Sequence, residues 1–163
     1  MNESSAYQDL QPIHPEPASF WRRCVFSTDH KVIAKQFLWA GLLFLLFGGL
    51  LAMMIRWQWA YPGEKVPGMG AVLSRSGGVI TPSAYNTIFT MHGLIMIFFA
   101  ITPIMIGAFG NFCIPLMIGA RDMAFPALNM ISFWTFLVSQ GLVIASFFVQ
   151  LGSAAAGWTT YPP

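Results

Sequence analysis

YNTIFTMHGLIMIFFAITPIMIGAFGNFCIPLMI, residues 85 to 118, contains no Asp, Glu, Lys or Arg and a single histidine, His92. Apolar runs of about 18 residues or more read as membrane spans. This one exceeds the roughly 20 residues of a perpendicular crossing, so it is expected to tilt or to extend past the interface. Two further apolar runs flank it, at about 32 to 55 and about 125 to 152. The whole chain is 56% hydrophobic and 9% charged, against roughly 25% charged in ordinary soluble domains. These features predict an all-α membrane protein of three transmembrane helices. Residues 1 to 28 form a polar tail with no apolar core, so no secretory signal peptide is expected there, and no internal repeat is visible.

Flanking charge sets the orientation. Arg22, Arg23, Lys31 and Lys35 precede or open the first span, and Arg121 lies in the short link between the second and third. Against them, the long link carries Arg56, Lys65 and Arg75. The positive-inside rule therefore predicts a cytoplasmic N-terminus. Ser27-Thr28-Asp29 offers capping oxygens before the first helix. At its far end Trp57, Trp59 and Tyr61 make an interfacial aromatic belt, and Pro62-Gly63 predicts a stop. The outer loop is then expected from about 57 to 84. Pro103 and Pro115 remove backbone donors inside the second span, so kinks are expected near both.

An ionisable group deep in an apolar run is costly and normally faces a cavity, a partner or a cofactor. His92 is thus a candidate metal ligand; the alternative is an imidazole hydrogen-bonded across helices. With a helix starting near Tyr85, His92 lies about 10 Å from its outer end. Arg56 is expected to end the first helix on the same side. Imidazole is the common axial ligand of heme iron, and a nearby cation can raise a heme potential or bind a peripheral substituent. A helix-end arginine can also simply snorkel to headgroups. Gly41, Gly48 and Gly49, with Gly107 and Gly110, allow close approach of a helix or of a flat cofactor. Cys24 and Cys113 lack metal-ligand spacing and read as ordinary free thiols. The net charge of +2 gives no case for nucleic acid binding.

Four blocks, in order, carry a resemblance. They are Thr90-Met91-His92-Gly93-Leu94-Ile95-Met96-Ile97-Phe98-Phe99, Pro103-Ile104-Met105-Ile106-Gly107, the run from Pro115 to Pro126, and Ile131-Ser132-Phe133-Trp134. From Asp29 to Pro163 the chain resembles the N-terminal part of subunit I of heme-copper oxidases of the cytochrome c oxidase type. The resemblance implies the first part of a larger helical bundle in a proton-pumping terminal oxidase. It implies that His92 is an axial ligand of the low-spin heme and that Arg56 hydrogen-bonds the formyl group of a heme a. Gly49 and Trp158 are implied on the heme side, Trp158 near the propionates, although Trp158 and Tyr161 read equally well as interfacial anchors. It further implies that Asp122, with Asn111 and Asn129, forms the mouth of a D-type proton channel. Without it, Asp122 would read as a solvated loop carboxylate paired with Arg121.

Some positions depart from the family pattern. Gln58 stands where many relatives carry a carboxylate that helps hold calcium or sodium, and an amide oxygen is a weaker ligand for a hard cation. Met130 follows Asn129 where a second asparagine is common. Leu51, Ala84 and Thr87 occupy positions where quinol-oxidising relatives carry Asp, His and Gln, which favours cytochrome c as electron donor. Only His14, His30 and His92 are present. The second axial histidine, the high-spin heme ligand and the copper ligands are therefore expected on the remaining helices of subunit I. The chain alone is expected to be inactive: a truncation, part of a longer product, or one piece of a split subunit. Expected neighbours are a copper-bearing subunit II, subunit III and the lipid bilayer, expected here to be a bacterial inner membrane. The competing reading is a heme-free three-helix membrane protein with an assembly or structural role.

Overall fold

The computed structural model describes residues 19–68, 77–149 and 153–161. Most of the polar tail read from the sequence, residues 1 to 18, lies outside them. So do 150 to 152, the end of the third apolar run.

Asp29 starts the first helix. Its backbone is extended, and its carboxylate accepts the Lys31 N–H at 2.8 Å, satisfying one of the free donors of the first turn. Helix α1 then runs His30–Ala60 without interruption. At 1.5 Å per residue its 31 residues reach about 46 Å, well beyond a hydrocarbon core of roughly 30 Å. It ends where Pro62 cannot continue the ladder and Gly63 takes a left-handed φ of 81°. The sequence reading closed this helix a turn too early. Arg56, Trp57 and Trp59 lie within α1, and Trp59 Nε1 donates to the Tyr85 hydroxyl at 3.1 Å.

Thr81 caps the second helix, accepting the Ala84 N–H at 3.2 Å, with Pro82 at the first helical position. Helix α2 spans Pro82–Met117, three residues earlier than the apolar run begins. The kink expected at Pro103 takes a particular form. Ile95–Ile101 and Pro103–Gly110 are wound as π-helix, and the Thr102 N–H and Oγ1 both donate to the carbonyl of Ile97, five residues back. Pro103 has no N–H to offer and its ring crowds the carbonyl four residues before it, so a wider turn relieves both problems. Helix α3 spans Pro126–Ser146, ending six residues before the apolar run does. No breaker marks that end. Ser146 Oγ turns back onto the Val143 carbonyl and meets Ser153 Oγ at 3.1 Å, while Phe147 packs edge-on against Phe47. All three helices are long and apolar enough to cross a membrane.

Helix α1 packs along one seam: Ile33, Phe37, Gly41, Phe44, Gly48, Leu51 and Ile55 are buried at steps of three or four. Two of these are glycines for steric reasons. A Cβ at Gly41 would meet Ile104 at 2.6 Å, and one at Gly48 would meet the Met96 sulfur at 2.7 Å. On α2, Gly107 answers with Phe37 at 2.6 Å. Gly107→Ala therefore forces the helices apart or Phe37 out of its contacts with Phe133 and Phe136. The expected cost is about 1–3 kcal/mol, read as a lower unfolding midpoint in detergent.

Candidate functional site

His92 lies ten residues into α2, about 15 Å from the helix start rather than the 10 Å expected from the apolar run. Its Nδ1 lies 2.9 Å from the carbonyl oxygen of Gly48 on α1. A carbonyl only accepts, so Nδ1 carries the hydrogen and the neutral ring keeps its lone pair on Nε2. That arrangement fixes tautomer and ring plane together, which is what a metal-ligating histidine requires. Gly48 thus serves twice: its missing side chain admits α2, and its carbonyl orients the imidazole. Sequence reading gave Gly48 a role only through its missing side chain, as room for a helix or a flat cofactor, and not through its carbonyl.

Gly49, the next residue, differs sharply from Gly48. A Cβ there would meet no heavy atom within 4 Å, so its face of α1 is open. Arg56 lies seven residues further along, two turns away and within about 20° of the same face. Its side chain is exposed. The structure therefore puts Gly49 and Arg56 on one open stripe of α1, beside the residue that holds His92.

A second strand of chain reaches the same place. The Gly157 N–H donates to Thr90 Oγ1 at 2.9 Å, and Thr90 is 1% exposed. Next to it, Trp158 packs on Gly93, where a Cβ would meet the Trp158 Cβ at 3.0 Å. The segment after α3 is thereby folded back beside His92. Neither Thr90 nor Gly93 was singled out from the sequence, although both flank His92 within two residues.

At the opposite end, Asn111 and Asn129 share a cleft of about 330 Å³ with Thr102 and Ser132. Asn111 Nδ2 donates to the Gly107 carbonyl at 2.8 Å, whereas Asn129 Nδ2 is buried with no partner among the described residues. Asp122 does not line this cleft. Its side chain is 13% exposed and accepts the Met123 N–H at 2.7 Å, and one oxygen lies 3.1 Å from Nδ1 of His30. The picture of a freely solvated carboxylate is thus replaced by a largely covered pair joining the α2–α3 link to the start of α1. His30 is 3% exposed, and its Nε2 has no partner among the described residues. A pairing across 92 residues leaves no local signal in the sequence.

The residues fit a heme in one definite respect: an oriented imidazole with a free Nε2 lies beside a helix face bare of side chain at Gly49. Among the described residues no three His, Cys, Asp or Glu gather as a further metal cluster. Cys24 and Cys113 are free thiols, as read from their spacing.

Comparison with known proteins places this geometry. The family model described as Cytochrome C and Quinol oxidase polypeptide I matches residues 32–163. The chain belongs to that family. It is 42% identical over 152 residues to cytochrome c oxidase subunit 1 of Thermostichus vulcanus, covering 93% of this chain and 25% of that protein. Identity is 39% over 155 residues to the alternative cytochrome c oxidase subunit 1 of Bradyrhizobium diazoefficiens, covering 95% and 24%. It is 43% over 148 residues to cytochrome c oxidase subunit 1 of Mytilus edulis, covering 91% and 24%. The chain spans about a quarter of the length of these curated relatives. The resemblance carried by the blocks around His92, Pro103 and Arg121 is borne out, as is the helical membrane architecture.

Proposed function

We propose that this chain is the part of an oxidase subunit I that holds the low-spin heme and opens the proton path of a cytochrome c oxidase. The observation that carries the reading is the His92 to Gly48 hydrogen bond, which leaves Nε2 oriented and free in a family that uses heme. His92 would be the axial ligand supplied by this chain. Gly49 would leave room for the flat ring, and Trp158 would approach its propionate side. A heme bound there supplies one-electron transfer.

Arg56, as a planar donor on the open stripe, would hydrogen-bond a formyl substituent and identify the group as heme a. Arg56→Met should shift the reduced low-spin band toward that of a heme without a perturbed formyl. An unmoved band would confine Arg56 to anchoring at the headgroups.

Asp122 would collect protons at the inner end of the helices, with the His30 ring against its oxygen. Asn111 and Asn129, each able to donate and accept, would order water in the cleft above it. The remaining helices of subunit I would supply the second axial histidine, the high-spin heme and the copper ligands. Electrons would come from cytochrome c through copper in subunit II, with subunit III alongside. The membrane would be a bacterial inner membrane with the N-terminus cytoplasmic, following the Arg and Lys excess at the start of α1.

The test is a reduced-minus-oxidised spectrum of the complex purified through a tag on this chain, with mass spectrometry of every co-purifying polypeptide. Low-spin heme bands together with a partner carrying the other helices support the proposal. A chain that purifies folded, heme-free and alone overturns it and leaves the assembly role.

A further inference from the structure

A cleft of about 1250 Å³ opens where α1, α3 and the segment before α1 meet, larger than the roughly 300–1,000 Å³ of ordinary ligand pockets. The segment is held there by two attachments. Gln36 Nε2 on α1 donates to the carbonyls of Cys24 and Val25 at 2.8 and 3.0 Å, and the Phe26 ring stacks on Trp134 of α3 with centroids 4.9 Å apart. Arg22, Arg23 and Lys35 line its polar end. Among the described residues the only carboxylate in the lining is Asp29, already engaged in capping α1, and no carboxylate pairs with these three cations. Deeper along α1 the wall becomes Trp39 and Leu43, 71% and 63% exposed, with Leu137 of α3 opposite. From Lys35 to Leu43 is about 12 Å along the helix axis. Cations thus sit at the membrane boundary, an amphipathic indole comes next, and apolar wall lies below.

The geometry points to a binding site for an anionic phospholipid, its phosphate held by Arg22, Arg23 and Lys35 and the upper part of its acyl chains laid along Trp39, Leu43 and Leu137. Charge complementarity selects the headgroup: three cations that no described carboxylate pairs favour a net negative lipid over a zwitterionic one. The graded wall selects a lipid over a soluble phosphate, because a free ion would leave the apolar half of the cleft uncovered. The site is independent of His92 and of the proton path.

The full chain in detergent, titrated by native mass spectrometry with phosphatidylglycerol or with phosphatidylcholine of the same acyl chains, tests this. Phosphatidylglycerol should bind about tenfold tighter or more. At roughly one surface cation's worth of attraction each, R22Q/R23Q/K35Q should lose on the order of a hundredfold for that lipid and, with it, the preference over phosphatidylcholine. R121Q, at the same end of the molecule but outside the cleft, should lose nothing. Glycerol phosphate, which has the headgroup but no chains, should fail to displace the lipid. Equal binding of the two lipids, an equal loss in R121Q, or displacement by glycerol phosphate each overturns the proposal. Far-UV circular dichroism checks that the triple variant is folded; should it lose helicity, Lys35→Gln alone carries the comparison, with a loss of about fivefold expected.

Discussion

His92→Ala should abolish the low-spin heme spectrum of the assembled oxidase while leaving the three helices in place. Alanine is the best helix former, and the imidazole is only partly buried, so the backbone of α2 has no reason to change. What disappears is the imidazole nitrogen oriented by the Gly48 carbonyl beside the open face at Gly49. The measurement is the reduced-minus-oxidised spectrum of the tagged complex together with its helicity. A normal low-spin band in a folded variant would remove His92 from the ligand role and turn its hydrogen bond to Gly48 into packing alone.

Asp122→Asn should slow turnover of the complete oxidase by about tenfold or more, or abolish pumping. The amide keeps the carboxylate's shape and still offers an oxygen to the Met123 N–H and to His30, so the α2–α3 link stays folded. It cannot bind and release a proton. Oxygen consumption and proton release per electron, measured in vesicles, separate the two effects. Should both be unchanged, Asp122 would be a structural clasp for His30 and the channel assignment would fail.

Much of the architecture was legible from hydropathy and punctuation. Three apolar runs gave three helices, and Asp29 and Pro62-Gly63 marked the two ends of α1 to within a few residues. Legibility failed where the cause is tertiary. The early stop of α3 at Ser146 depends on contacts with Phe47 and Ser153, and nothing in Phe147-Phe148-Val149 announces it. For the candidate site, the histidine stood out because an imidazole is anomalous in such a run. Its partner did not, because that partner is a backbone carbonyl, which every residue possesses. The His30 to Asp122 contact was invisible for a different reason. Each residue has a complete local explanation, as a helix start and as a loop carboxylate, and only the fold shows that they meet. Asn111 and Asn129 were grouped with Asp122 by family resemblance; the two amides share a cleft, and Asp122 does not line it.

The π-wound stretches around Pro103 make α2 a rotary joint between its two ends. Each such turn takes in an extra residue, so the bearing of Asn111 relative to His92 is not the one a regular helix would give. The N-terminal half can therefore face the Gly48 carbonyl of α1 while the C-terminal half presents Asn111 to the cleft beside α3. Removing one residue between Ile95 and Gly110 would act less as a shortening than as a turn of a dial. About 100° of rotation would carry Asn111 away from its cleft while His92 kept its hold on α1.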